Sequence, residues 1–201
     1  MSHQQKKPSI SPFHIAAFLT TLLVTAGLSF GFARAVQDSR GWQATSEAAI
    51  VNPTFVAQLG NKAVRRIPDF VLPDRFGNSV RLSDFKGVDL LVVNIWTTNC
   101  PVCEAELPSL EEMDRRLAAI GAVLVTVTIN SQFDEVAHLF PQGTDLRILF
   151  DPDTAVSETL FGTSRFPETF ILDKERRIRA RFDGQRAWHS DEMLRYIATF
   201  R

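Results

Sequence analysis

The chain contains two cysteines, Cys100 and Cys103, and both lie in the segment Cys100-Pro101-Val102-Cys103. Two thiols at this spacing can form and break a disulfide, so the pair is suited to thiol–disulfide exchange. A helix that begins at Cys100 would stabilise a thiolate there with its free N–H groups and positive dipole end. Cys103 would then lie one turn inside that helix. We therefore expect Cys100 to be the nucleophile and Cys103 to release the mixed disulfide.

Other uses of a cysteine pair fit this sequence less well. Two cysteines are too few for a disulfide framework, and a structural disulfide normally closes a longer loop because longer loops constrain the unfolded chain more. Glu104 follows Cys103, where covalent haem attachment requires a histidine. A structural zinc site needs four ligands, and no ligand spacing is found among His3, His14, His138 and His189. We expect no metal and no cofactor.

Two predicted elements position the cysteines. The near-continuous apolar run over residues 90–96 predicts a central strand that is covered on both faces. After Cys103, apolar residues recur at helical spacing up to Gly121, and Pro101 suits the first turn of such a helix. The cysteines therefore lie where a buried strand gives way to a helix.

The rest of the chain after residue 66 alternates between predicted strands and helices. We expect a hairpin over 70–72 and 80–82, a capped turn at 83–87, and strands at 122–129 and 146–150. Helices are predicted at 134–140 and, with Thr154 as the cap, up to Phe161. A second hairpin (168–172 and 178–182) and a helix capped by Ser190 follow. This order predicts an α/β fold, a three-layer sandwich around a mixed central sheet.

Three further residues are candidates for the site. Glu106 follows Cys103 by three positions, so both should share one helix face. A carboxylate there can accept the proton of Cys103 and raises the pKa of nearby thiols, although a solvated glutamate is the ordinary alternative. Asn94 is polar within the apolar strand and needs a partner, either in the site or on the local backbone. Pro167 cannot lie inside a central strand, so it marks a strand start; a cis bond is plausible there, although trans is far more common.

The N-terminal region predicts a membrane segment. Lys6 and Lys7 precede a stretch without charged residues that continues to Arg34. Its length favours an anchor, which needs about 20 apolar residues, over a signal peptide core of about 7–15. The Ala33-Arg34-Ala35 sequence nevertheless has a shape that a signal peptidase could cut. Because basic flanks stay in the cytoplasm, the chain after Arg34 should lie outside it.

These patterns divide the chain into four regions. We predict a cytoplasmic N-terminus (1–12), an anchor or signal peptide (13–33), a linker (34–66) and a folded domain (67–201). Within the linker, Asn52-Pro53 would begin a short helix with Phe55, Val56 and Leu59 on one face. A net charge of −1 gives no reason to expect nucleic acid as a partner.

Three segments, taken together, resemble one family. They are Trp96-Thr97-Thr98-Asn99-Cys100-Pro101-Val102-Cys103, then Glu106-Leu107-Pro108, then Phe166-Pro167-Glu168-Thr169-Phe170-Ile171-Leu172-Asp173. This joint pattern is similar to the TlpA/ResA/CcmG group of membrane-tethered, thioredoxin-like thiol–disulfide oxidoreductases. The resemblance covers residues 67–200.

The resemblance implies roles for particular residues. Pro167 would be the cis-proline that faces the disulfide across a peptide-binding groove, and Trp96, Phe166 and Glu168 would border that groove. Glu106 would be the active-site glutamate. The Pro-Glu-Thr-Phe string is most similar to the cytochrome c maturation members, which reduce apocytochrome c cysteines and draw electrons from a membrane thiol donor. Two departures affect the expected docking surface: Asn99 replaces the usual aromatic residue, and Phe166 is bulkier than the usual residue.

The charges near the motif favour a reductase. Glu104, Glu106 and Glu168 are candidate neighbours, and no Lys, Arg or His is adjacent to the cysteines in sequence. Carboxylates disfavour a thiolate, whereas a strong oxidant requires a well-stabilised thiolate. Arg165 would act against this if it pointed inward.

Two alternative functions remain on the same fold. A thiol peroxidase would carry Pro-x-x-x-Thr-x-x-Cys; Thr97 fits this spacing, but Val93 occupies the proline position. A copper carrier would space its cysteines by three residues and add a histidine, and neither feature is present.

Overall fold

The computed structural model describes residues 55–56 and 65–201. Within them the chain forms a six-stranded mixed sheet and a separate two-stranded hairpin. The strands are β1 (Phe55–Val56), β2 (Val71–Pro73), β3 (Ser79–Arg81), β4 (Leu90–Trp96), β5 (Ala122–Thr128), β6 (Ile148–Phe150), β7 (Glu168–Asp173) and β8 (Ile178–Asp183).

The order of strands in the large sheet is β1-β8-β7-β4-β5-β6, which places β4 near its centre. β4 runs parallel to β5 and antiparallel to β7. In the second pairing Ile95 lies opposite Glu168, so the start of β7 meets the end of β4. The cysteines that follow β4 and the proline that precedes β7 are thereby brought to the same edge.

The helices are α1 (Pro101–Leu117), α2 (Phe133–Val136) and α3 (Asp191–Ala198), with a π-helix at Ala155–Phe161. Short 3₁₀ turns occupy Leu82–Phe85, Ala118–Ile120 and Ala137–Leu139. Among the described residues, none of these helices is long and apolar enough to cross a membrane. The segment predicted as an anchor or signal peptide, residues 13–33, lies outside the described residues.

The side chains of β4 divide the core into two layers, because successive residues of a strand point to opposite faces. Leu90, Val92 and Trp96 pack with the buried face of α1. Leu91, Val93 and Ile95 pack on the other side, in a cluster that includes residues of the hairpin and the π-helix. Asn94 has the same parity as Trp96, so it faces α1. The predicted three-layer sandwich around a mixed sheet is confirmed.

Two predicted elements were wrong. Phe55–Val56 is a strand rather than part of a helix, and it pairs with Arg181 and Ala180 of β8. The edge of β8 presents backbone donors and acceptors for pairing, whereas a short isolated helix is only marginally stable in water. Leu59 lies outside the described residues.

Thr154 does not cap a regular α-helix as predicted. The element is a π-helix, Thr154 has a left-handed φ of 57°, and its side chain makes no capping bond. Asp151, which is fully buried, accepts hydrogen bonds from the amides of Val156 and Ser157 instead. Ser190, by contrast, caps α3 as predicted, since its hydroxyl accepts from the Met193 amide at 3.1 Å.

Candidate active site

Cys100 and Cys103 form a disulfide at the start of α1. Cys100 is the N-cap residue, and its sulfur lies 3.2 Å from the backbone nitrogen of Cys103, which donates to it. Pro101 occupies the first helical position, where no intrahelical donor is required. Cys100 is half-buried and Cys103 is completely buried. Only the first sulfur is therefore accessible to a partner.

The loop that leads into Cys100 is held by Asn130, two residues after the end of β5. Its Oδ1 accepts the Thr98 amide at 3.1 Å, and its Nδ2 donates to the Thr98 hydroxyl at 2.8 Å. Asn99 adopts a left-handed φ of 58°, which asparagine tolerates better than most residues. These contacts fix the direction from which the chain enters α1.

The segment that faces the disulfide begins with Phe166 and Pro167. Their peptide bond is cis. The carbonyl oxygen of Phe166 lies 3.8 Å from Sγ of Cys100. Phe166 is half-buried, Pro167 is buried, and Val102 beside the disulfide is 46% exposed. The Cys100 sulfur thus lies near a backbone carbonyl, and an exposed apolar residue is close to it in sequence.

Glu106 lies one turn after Cys103 on the buried face of α1 and is 1% exposed. Its carboxylate accepts a hydrogen bond from Nδ2 of Asn94 at 2.8 Å and another from the indole N–H of Trp188 at 2.9 Å. The same Asn94 nitrogen donates to the Thr169 hydroxyl at 3.0 Å. Asn94 therefore links β4, α1 and β7 beneath the disulfide.

Burial raises the pKa of Glu106 from 4.5 to about 7, because the carboxylate loses its hydration. The hydrogen bonds from Trp188, from Asn94 and from the backbone amide of Arg186 act in the opposite direction, as does the positive charge of Arg186. Glu106 is accordingly a buried group that changes its protonation state near neutral pH. A group of this kind can exchange a proton with a neighbouring thiol at physiological pH.

The arrangement of a helix-capping cysteine, a buried second cysteine and a facing cis-proline agrees with a family assignment. The sequence model of the AhpC/TSA family matches residues 64–181, more than half of the chain. The chain belongs to the AhpC/TSA family.

Two curated relatives of this family member are named as thiol-disulfide oxidoreductases. The chain is 26% identical over 130 residues to the thiol-disulfide oxidoreductase ResA of Bacillus subtilis, covering 64% of this chain and 72% of the relative. It is 29% identical over 120 residues to ResA of Geobacillus thermodenitrificans, covering 58% and 67%. These likenesses confirm the TlpA/ResA/CcmG-like resemblance.

A solved structure shows the same fold. It belongs to a Chlorobium tepidum protein assigned as the thiol:disulfide interchange protein DsbE, with a TM-score of 0.59 and 23% identity. The match covers 68% of this chain and 96% of that one. The fold is thus thioredoxin-like. The family match and the two ResA relatives add the activity: this family member is a protein thiol–disulfide oxidoreductase with its cysteine pair at Cys100 and Cys103.

Two residues predicted to border the groove are fully buried. Trp96 is fully buried, and its indole N–H has no hydrogen-bond partner among the described residues. Glu168 is fully buried as well and forms an ion pair with Arg181 of β8. Burial raises the pKa of Glu168, and Arg181 opposes that rise. Phe166 and Pro167, by contrast, form the segment that faces the Cys100 sulfur. Substrate binding by these four residues remains a prediction.

Sequence reasoning missed the groups that surround the two carboxylates. Trp188 and Arg186 approach Glu106 from the loop after β8, and Arg181 approaches Glu168 from β8 itself. None of them is close to the cysteines in sequence, so no spacing rule identifies them. Arg165, the cation considered from sequence, is exposed. No cluster of histidine, cysteine and acidic residues that could hold a metal ion occurs within the described part of the chain.

Proposed function

We propose that this oxidoreductase is an extracytoplasmic reductase of protein disulfides, tethered to the membrane and of the cytochrome c maturation type. The observation that carries the proposed direction is Glu106, a buried carboxyl group one helical turn after Cys103 with a pKa of about 7. The N-terminal pattern of Lys6, Lys7 and the apolar segment 13–33 supports the location.

The reaction begins with the reduced pair. The Cys100 thiolate attacks one sulfur of the substrate disulfide, so a mixed disulfide forms and the other substrate cysteine leaves as a thiolate that takes up a proton. Cys103 then transfers its proton to the Glu106 carboxylate and attacks Sγ of Cys100. The Cys100–Cys103 disulfide forms, and the second substrate cysteine is released. Two electrons have passed to the substrate, and a membrane thiol donor must restore the dithiol.

The electrostatics favour this direction. A thiolate at Cys103 would lie near Glu106, and negative charges in a low-dielectric interior repel each other. A neighbouring carboxylate thus disfavours a thiolate, whereas strong disulfide oxidants depend on a strongly stabilised one. Arg186 reduces this repulsion, since its charge favours the ionised form of Glu106. The balance still leaves the pKa of Glu106 above its ordinary value.

The substrate is proposed to dock along the segment before β7. The Phe166 carbonyl lies 3.8 Å from the reactive sulfur and offers an acceptor to the backbone of an extended peptide. Val102, which is exposed, and Phe166, which is half-buried, would supply apolar contacts. Trp96 and Glu168, which are buried, would support this surface from below. A cysteine-containing polypeptide such as apocytochrome c fits such a surface, and the similarity of the Pro-Glu-Thr-Phe string supports that choice.

Trapping the substrate tests the proposal. In a Cys103→Ser variant, Cys100 forms a mixed disulfide that the missing thiol cannot release. The variant should accumulate such species with cysteine-containing apocytochromes, identified by mass spectrometry after thiol blocking. The matched Cys100→Ser variant should trap none of them. Equal recovery from both variants, or no trapped polypeptide from the Cys103→Ser variant, would contradict the proposed function.

The location is tested separately. Alkaline phosphatase fused after Arg201 folds into an active enzyme outside the cytoplasm, where its disulfides form. The fusion should be active and should sediment with membranes. An inactive fusion that is expressed at normal levels would overturn the proposed location, and an active fusion found free of membranes would indicate cleavage near Ala35.

A further inference from the structure

Trp188 lies in the loop between β8 and α3 and is fully buried. Its ring packs edge-on against Phe182, with ring centroids 5.3 Å apart. Its one polar atom, Nε1, donates to Oε2 of Glu106 at 2.9 Å, a contact between residues 82 positions apart in the chain. The indole group therefore reaches across the α1 face of the sheet to a single carboxylate oxygen.

We propose that Trp188 is a positioning residue for the exchange reaction, and that its indole N–H holds the Glu106 carboxylate in place to accept the proton of Cys103. Asn94 holds the other oxygen of the same carboxylate at 2.8 Å. The two donors come from different elements, so together they fix both the position and the rotation of the group.

The indole N–H matters because the carboxylate is shielded from water. A buried carboxylate that loses one of its donors loses part of what stabilises its charge, which disfavours the ionised form. Glu106 accepts hydrogen bonds from Asn94, Trp188 and the backbone amide of Arg186, and the positive charge of the Arg186 guanidinium acts on it as well. Cys103, one turn earlier on α1, becomes a further titratable group near Glu106 once it is reduced. Among these, Trp188 can lose its donor without a change of charge.

The first experiment titrates Glu106 in the disulfide form, where no thiol interferes. The carboxyl carbon of Glu106 is followed by NMR in the full chain and in a Trp188→Phe variant, which lacks the N–H. The midpoint should rise by about one pH unit or more, because a charge-assisted hydrogen bond is lost. The matched control is Trp96→Phe, which removes an indole N–H without a partner among the described residues. In this control the Glu106 midpoint should stay where it is in the wild type. If the midpoint also stays there in Trp188→Phe, the inference is overturned.

A measurement on the wild-type protein tests the same hydrogen bond even if the Trp188→Phe variant does not fold. The indole proton of Trp188 should shift with a midpoint near pH 7, because its acceptor gains charge there. The indole proton of Trp96 should show no such titration. If the Trp188 proton is insensitive to pH between 5 and 9, the hydrogen bond to Glu106 is not formed in solution and the inference fails.

The second experiment measures release of the mixed disulfide by Cys103, and it rests on the proposed function. With a midpoint one unit higher, Glu106 would be ionised in about a tenth of Trp188→Phe molecules at pH 7 instead of about half, so release should be about fivefold slower. The rate should recover as the pH is raised. In a Glu106→Gln background the Trp188→Phe change should have no further effect on the pH profile.

The outcomes separate the two ideas. If Glu106→Gln itself leaves release unchanged, the proposed role of Glu106 fails, whatever Trp188 does. If Glu106→Gln slows release but Trp188→Phe slows it equally in both backgrounds, Trp188 has only a structural role and the inference is overturned.

Discussion

Replacement of Glu106 by glutamine should remove a large part of the pH dependence of stability of the disulfide form. Burial raises the pKa of Glu106 from 4.5 to about 7 in the folded protein, whereas the unfolded chain has the ordinary value. Between these pH values the folded protein binds more protons than the unfolded chain. The free energy of unfolding must therefore fall as the pH rises through this window.

The size of the effect follows from the shift. A rise of about 2.5 pKa units corresponds to about 3.4 kcal/mol between the acidic and alkaline limits. Linkage places about 2.5 kcal/mol of this between pH 5 and pH 8. Glutamine does not titrate, and the other carboxyl groups are common to both proteins. The difference in free energy of unfolding, variant minus wild type, should therefore rise by about 2.5 kcal/mol from pH 5 to pH 8. This change does not depend on the absolute stability of the variant.

Urea unfolding of both oxidised proteins at pH 5, 6, 7 and 8 measures this difference. Glu112→Gln is the matched control on the same helix, because Glu112 is exposed and its hydrogen bond and ion pair with Arg115 lower its pKa. Its pH profile should run parallel to that of the wild type. Parallel profiles for Glu106→Gln would refute the reasoning, since an unperturbed Glu106 would already be ionised throughout and could not accept a proton near neutral pH.

Two further predictions concern two other buried carboxylates, Glu168 and Asp151. Arg181→Met leaves the buried Glu168 without its ion-pair partner, so the free energy of unfolding at pH 7 should fall by about 1–3 kcal/mol. Because the pKa of Glu168 is raised, this loss should shrink as urea denaturation is repeated toward pH 4, and a loss independent of pH would contradict the assigned ion pair. Asp151→Asn replaces a carboxylate that accepts from the Ser157 amide and hydroxyl at 2.7 Å each, so thermal melting should show a destabilisation of about 1–3 kcal/mol. An unchanged melting temperature would mean that Asp151 does not secure the π-helix.

The sequence predicted the layers of this fold because its central elements have strong local patterns. The run at Leu90–Trp96 is apolar except at Asn94 and lies near the sheet centre, and the helix after the cysteines has its apolar residues at helical spacing. The proline at the first helical position and the serine cap of α3 are local signals too. Patterns of this kind depend on neighbours within a few residues, which a sequence displays directly.

The partners of the buried polar groups could not be predicted in the same way. Asn94 was recognisable as polar within an apolar strand, but its partners Glu106 and Thr169 are 12 and 75 residues away. Trp188 is 82 residues from Glu106, and nothing in the sequence distinguishes it from a tryptophan that only packs in the apolar core. Threonine is a common helix-capping residue, yet here Asp151 accepts the hydrogen bonds from the start of the helix. The element is a π-helix, and Thr154 has a left-handed backbone conformation from which its side chain makes no capping bond. Tertiary contacts decided each case.

The reduction potential of the Cys100–Cys103 pair tests the central claim most directly. Equilibration of the purified protein with glutathione or dithiothreitol buffers at pH 7, followed by thiol labelling, gives the midpoint. We predict a value close to that of thioredoxin, about −270 mV, because the buried Glu106 disfavours a stabilised thiolate. A value near −120 mV, typical of a strong oxidant, would contradict the assignment of this protein as a reductase.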